Sequence, residues 1–298
     1  MIPDSDLRLV PPWVFELLAL VIGLAVGSFA NVCIHRIPRG ESVVKPPSRC
    51  PACGVVIRVF DNVPVLSWLW LGRRCRSCRT AISVRYPLVE AANGVLYLGL
   101  AVVGGPSIWT LVAMPFTTTL LVLALIDLDV QLLPNVITLP GIALGIAASL
   151  LLGRGPFPAW PVGPAEAVLS ATGGYLTLLL VSHAYEKVQG EPGLGQGDWK
   201  MAAFLGAFLG WEKMLLVVFL ASLGGTAVAG WLWVQQLWAR LRVDGKTDPK
   251  PQLSLGKTKL PLGTFLSAAA ILVLFGGEQL LNWYKGPFSR WIQGVFGA

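Results

Sequence analysis

Seven stretches of this 298-residue chain, at about 13–34, 87–104, 107–126, 136–152, 167–185, 214–239 and 260–284, are long, apolar and nearly free of charge. A hydrocarbon core about 30 Å thick is crossed as helix by roughly 20 such residues, so these runs predict a polytopic membrane protein. Composition agrees: 54% of residues are hydrophobic and 13% charged, about half the charged share of a soluble domain. A shorter apolar piece, Met201 to Trp211, lies between Lys200 and Glu212. It reads as a sunken, re-entrant or interfacial helix. The expectation is an all-α protein with about eight transmembrane helices, the short one sixth. The start, MIPDSDLRLV, carries Asp4 and Asp6 without a basic n-region, which favours a retained anchor over a cleaved signal.

Lys and Arg are retained on the cytoplasmic side of membrane spans. Residues 35–86 hold ten of the 23 basic residues against two acids, Glu41 and Asp61, so this segment is expected in the cytoplasm. Alternating from there puts 127–135, 186–200 and 240–259 on the same face, the last with Arg240, Arg242, Lys246, Lys250, Lys257 and Lys259. Only an eight-span count keeps that cluster inside. The net charge of +7 follows from topology and anionic lipid and requires no nucleic acid.

Four of the five cysteines form two pairs, Cys50-x2-Cys53 and Cys75-x2-Cys78, separated by 21 residues inside the basic segment. Two such knuckles bring four thiolates around one Zn²⁺, and Pro51 and Gly54 suit a tight turn. A reducing compartment disfavours the alternative of two disulfides. Four protein ligands leave no open position for a catalytic water, so the zinc is read as structural. Between the knuckles, VPVLSWLWL at 63–71 is too short to span and too apolar for water; it caps the zinc lobe or lies against the membrane. Cys33 reads as a small buried hydrophobe, and His35 and His183 as interfacial residues.

Carboxylates at membrane spans are costly and become functional candidates. Asp127 and Asp129 lie where the third run meets the cytoplasm, and Asp198 at the start of the short helix, in GLGQGDWK. Singly, Asp198 also reads as an N-cap and the other two as boundary markers. Brought together from separate helices, two carboxylates suggest aspartyl protease chemistry, one accepting a proton from water while the other polarises the scissile carbonyl. Gly193, Gly195 and Gly197 would let an extended substrate approach the backbone.

These elements together resemble the bacterial type IV prepilin peptidases. The matching stretches are GSFANVCIHRIP at 27–38, the two knuckles flanking VPVLSW, ISVRYPLVE at 82–90, IDLDVQLLPN at 126–135, GLGQGDWK at 193–200 and LPLGTF at 260–265. The resemblance implies a catalytic pair at Asp127 and Asp198, with Asp129 as a tuning neighbour and Gly195, Gly197 and Lys200 in support. It implies cleavage of prepilin or pseudopilin leaders after glycine, at the cytoplasmic face of the inner membrane. It also implies S-adenosylmethionine-dependent methylation of the new N-terminus, for which Glu90 and Asn31 are candidates. Their ordinary alternatives are helix packing for Asn31 and pairing with a lobe arginine for Glu90.

The expected organisation is a first transmembrane helix in 1–34, a cytoplasmic zinc lobe associated with methylation in 35–86, and a polytopic peptidase domain in 87–298. Two other classes stay open. A proton- or cation-coupled transporter would use the same aspartates, and a noncatalytic zinc-lobed adaptor would use only the cysteines.

Overall fold

A computed structural model describes residues 11–152, 162–190, 193–242 and 261–288, with the side chains of 239–242 and 288 excepted. The reading of the first ten residues as a retained start and the basic cluster at 243–259 lie outside them. Eight α-helices occur among the described residues: α1 (Pro12–Arg36), α2 (Leu66–Trp70), α3 (Arg85–Gly104), α4 (Ile108–Val130), α5 (Asn135–Leu152), α6 (Pro164–Gln189), α7 (Gln196–Arg242) and α8 (Leu262–Trp283). Seven helical stretches, all but α2 among them, are long and apolar enough to cross a membrane.

The short 201–211 piece and the 214–239 run share α7, whose 47 residues would extend about 70 Å if straight, over twice a bilayer core. It is not straight. Gly210 leaves helical geometry at φ 78° and ψ 175°, a conformation open to a residue without Cβ. Before the break α7 runs antiparallel to α6: a Cβ on Gly206 would meet the Ser170 carbonyl, and Gly174 faces the carbonyl of Ala202. After it, α7 runs antiparallel to α8, with Leu216 beside Gly277 and Gly224 against Phe265. The chain therefore reverses at Gly210, giving eight membrane-directed segments in seven candidate spans. The first limb, about 14 residues or ~21 Å long, is too short to cross alone.

Close approach replaces hydrophobicity as the packing force between such helices, because lipid is as apolar as leucine. On α1, Ala19, Gly23 and Gly27 recur every fourth residue and are buried. A Cβ at Gly27 would stand 2.7 Å from the Cα of Glu90, and one at Gly23 would stand 2.8 Å from the Cβ of Tyr97. Polar bonds reinforce this seam. Asn93 Nδ2 donates to the Gly23 carbonyl at 2.7 Å, and Thr118 Oγ1 donates to Asn93 Oδ1 at 2.8 Å, joining α1, α3 and α4. Such interhelical bonds contribute about 0.6 kcal/mol each. In the same continuous core, Phe116, Phe204 and Phe208 join α4 to the first limb of α7.

Candidate functional site

Asp127 sits in the last turn of α4 and is 5% exposed. The start of α8 closes over it. The Thr264 backbone N–H donates to Asp127 Oδ2 at 2.8 Å, and the Thr264 hydroxyl lies 3.2 Å from the same oxygen and 2.9 Å from the Ala124 carbonyl. Gly263 admits this approach, since a Cβ there would stand 3.0 Å from Asp127 Oδ2. At the C-terminus of α4, Gln131 turns left-handed (φ 52°) and donates its N–H to the Asp127 carbonyl.

Asp198 lies in the first turn of α7. Its Oδ2 accepts the Gly195 N–H at 3.0 Å, an N-terminal cap closed by its own loop. Asp127 and Asp198 lie within electrostatic reach of each other. Leu133 connects their supports: it fills the space over Gly197, where a Cβ would stand 2.8 Å from the Leu133 Cβ, and over Gly263, where the closest atom is again 2.8 Å away. Three sequence-distant pieces, the end of α4 with its turn into α5 and the starts of α7 and α8, thus meet at one end of the bundle.

The other predicted residues divide. Asp129 is not directed at Asp198. It makes two bonds with Arg85 at the start of α3, 2.9 and 2.7 Å long. Lys200 Nζ donates to Asn135 Oδ1 at 2.8 Å and so joins α7 to α5. Two of the three glycines are closely covered by the chain itself. A Cβ at Gly193 would collide with the Tyr185 ring at 2.7 Å, and Gly197 is covered by Leu133, so both serve internal packing; at Gly195 the nearest atom is Asp198 Oδ2 at 3.4 Å.

Trp199 places its ring between Tyr175 and His183, each 6.1 Å away between centroids, and its buried indole Nε1 lacks a hydrogen-bond partner. Thr264, Leu133 and Arg85 escaped the sequence reading. The only sequence signal for Thr264 is its place in LPLGTF, which by itself names no partner.

The four paired cysteines converge. Their sulfurs all lie within 4.8 Å of one another, and Cys50 Sγ to Cys78 Sγ is 3.8 Å. A tetrahedral zinc with Zn–S bonds of about 2.3 Å requires S···S edges of about 3.8 Å, so the donor set fits Zn²⁺. The knuckles repeat one local structure. Cys50 N–H bonds to the Val55 carbonyl and Cys75 N–H to the Thr80 carbonyl, both at 2.9 Å. The residue after the second cysteine has positive φ in each, Gly54 at 69° and Arg79 at 60°. Single antiparallel bridges, Arg49 with Val56 and Arg74 with Ala81, close the two turns.

Arg76 grips Asp61 with three hydrogen bonds, and this bonding holds the Asp61 carboxyl below the usual range. VPVLSWLWL is tied to the lobe by one side: it contains α2, and Trp68 Nε1 donates to the Ile82 carbonyl at 3.1 Å. Glu90 does not pair with an arginine. Its Oε2 accepts the Val65 N–H at 2.7 Å, and Asn31 Nδ2 donates to the Tyr86 carbonyl at 3.1 Å. Both candidate cofactor residues are engaged in holding backbone.

The fold is thus a multi-span helical bundle with two carboxylates at one end and a four-cysteine lobe at the same end. Comparison with known proteins gives the family. Residues 21–103 match the bacterial peptidase A24 N-terminal domain, and residues 114–230 match the type IV leader peptidase family. A protein of Aeromonas hydrophila described as prepilin leader peptidase/N-methyltransferase is 35% identical, the match covering 93% of this chain and 96% of the relative. Relatives of the same description from Pseudomonas putida (39% identical; 90% and 93% covered) and Neisseria gonorrhoeae (39%; 76% and 84%) agree. No solved structure matches. The chain belongs to the type IV leader peptidase family, which sets aside the transporter and adaptor readings.

Proposed function

We propose that this chain is an aspartyl endopeptidase of the bacterial inner membrane that removes the leaders of type IV prepilins or pseudopilins, cutting after glycine at the cytoplasmic face. The observation that carries it is the meeting of Asp127 and Asp198, from helix ends 71 residues apart, over the common support of Leu133. Two carboxylates held together share one proton. The ionised one takes a proton from water as the water oxygen attacks the scissile carbonyl, and the protonated one polarises that carbonyl. The proton then passes to the leaving amine. Asp129, engaged by Arg85, serves as a positioning residue. The cytoplasmic placement rests on the basic segment 35–86, which lies at the same end as the pair.

The relatives' descriptions support a second activity, N-methylation of the new N-terminus with S-adenosylmethionine. Glu90 and Asn31 are both bound to backbone and do not fit a cofactor-holding role as they stand. Cys50, Cys53, Cys75 and Cys78 would hold the zinc, which would supply folding energy to the lobe. The test is a purified cleavage assay read by mass spectrometry. Asp127→Asn and Asp198→Asn should each lower cleavage at least a thousandfold while Asp129→Asn retains more than about a tenth. Normal cleavage by either of the first two would refute the pair. Omitting S-adenosylmethionine should leave cleavage intact and the product one methyl group lighter.

A further inference from the structure

The zinc lobe exposes apolar side chains that its own fold leaves uncovered. On α2, Leu66, Leu69 and Trp70 stand at i, i+3 and i+4 and are 55%, 58% and 54% exposed, one face of the helix. In the adjoining turn, Val59–Asn62, Val59 and Phe60 are 84% and 78% exposed. The opposite side is tied down: Trp68 bonds to Ile82, and the Arg73 guanidinium lies 5.0 Å over the Trp68 ring. The exposed face is therefore held in place by its own back.

Depth and charge identify what covers it. The bond from Val65 N–H to Glu90 fixes the start of α2 to a residue five positions inside α3, about 7 Å deeper than Arg85. The Cα of Glu90 lies against Gly27, well inside α1. The Arg85–Asp129 ion pair marks the polar boundary of the bundle, so α2 begins within a side-chain length of a point below that boundary. Val65 holds a left-handed φ of 62° there, a costly conformation for a β-branched residue, which the Glu90 bond maintains. Residues 42–84 carry seven Lys and Arg against one carboxylate, Asp61, and Asp61 is already bound by Arg76. An apolar face near that boundary, in a segment with a net positive charge, matches an anionic lipid surface.

We propose that the face of α2 formed by Leu66, Leu69 and Trp70, with Val59 and Phe60, docks the zinc lobe on the anionic bilayer. This holds the lobe against the membrane end of the bundle, independently of the peptidase reading.

The sequence supplies a direct assay, because trypsin cuts after Arg58 and Arg73 and releases residues 59–73 with all five apolar side chains. The full-length protein would be reconstituted in nanodiscs of phosphatidylethanolamine and phosphatidylglycerol carrying a photoactivatable diazirine in the upper acyl chain. After irradiation, peptide 59–73 should carry lipid adducts. Their yield should fall at least fivefold in Leu66→Ser/Leu69→Ser/Trp70→Ser at unchanged zinc content, and about twofold in Leu69→Ser alone, the variant to use if the triple change loses zinc. Replacing phosphatidylglycerol with phosphatidylcholine should halve it. An unlabelled 59–73 peptide beside labelled α1 and α3 peptides overturns the proposal. So does labelling abolished by an apolar prepilin-type peptide, which would give the face to substrate, or crosslinking of 59–73 to a second copy of the chain.

Discussion

The Thr264 backbone amide donates to Asp127 Oδ2 at 2.8 Å across 137 residues of sequence, and the Thr264 hydroxyl stands 3.2 Å from the same oxygen. One carboxylate oxygen is thereby fixed by the start of α8.

Thr264→Val keeps the amide and the shape but removes the hydroxyl. A hydrogen bond to a charged group contributes about 1.5 kcal/mol or more, so kcat should fall about tenfold with KM little changed, and Thr264→Ser should restore it. Wild-type kcat in Thr264→Val would show that the hydroxyl serves only the Ala124 carbonyl.

The Arg85–Asp129 pair spans the two family domains, with Asp129 two residues from Asp127. Both partners are partly exposed, at 43% and 36%, so the pair itself stabilises by no more than about 1 kcal/mol. Asp129→Asn and Arg85→Gln should each reduce cleavage by about tenfold or less. The exchange Arg85→Asp/Asp129→Arg should recover activity above either charge-reversal alone; an additive double mutant counts against coupling.

Purified protein should contain about one zinc per chain, as a four-thiolate site requires. Cys50→Ser or Cys78→Ser should lower that content and open 39–84 to proteolysis, while cleavage of prepilin suffers less than lobe folding. Acidification should release the metal as thiolates protonate. Stoichiometric zinc in both variants would exclude these ligands.

Two glycines in α7 should respond oppositely to alanine. Gly206→Ala would place a Cβ 2.3 Å from the Ser170 carbonyl, against 3.8 Å to the nearest atom at Gly225. Overpacking costs about 1–3 kcal/mol, which exceeds the ~1 kcal/mol that alanine gains over glycine in a helix. Thermal unfolding in detergent should show Gly206→Ala destabilised and Gly225→Ala unchanged or slightly stabilised.

Local patterns determined what the sequence could say alone. Apolar runs of bilayer length set out the spans, because a helix in lipid satisfies its backbone within itself. The spacing of Cys50, Cys53, Cys75 and Cys78 disclosed the metal set, because each knuckle is a turn of a few residues. Asp127 and Asp198 stood out because charge at a span end is costly wherever the chain goes. The tertiary structure decided the rest. Glu212 and Lys213 announced a break between the short helix and the next run, but no local pattern announced that the chain turns at Gly210. That Gly197 faces Leu133, that Glu90 holds Val65, and that Thr264 reaches Asp127 are contacts between segments tens of residues apart or more. Helix packing alone brings them together, and no periodicity in the chain encodes which side chain will stand opposite.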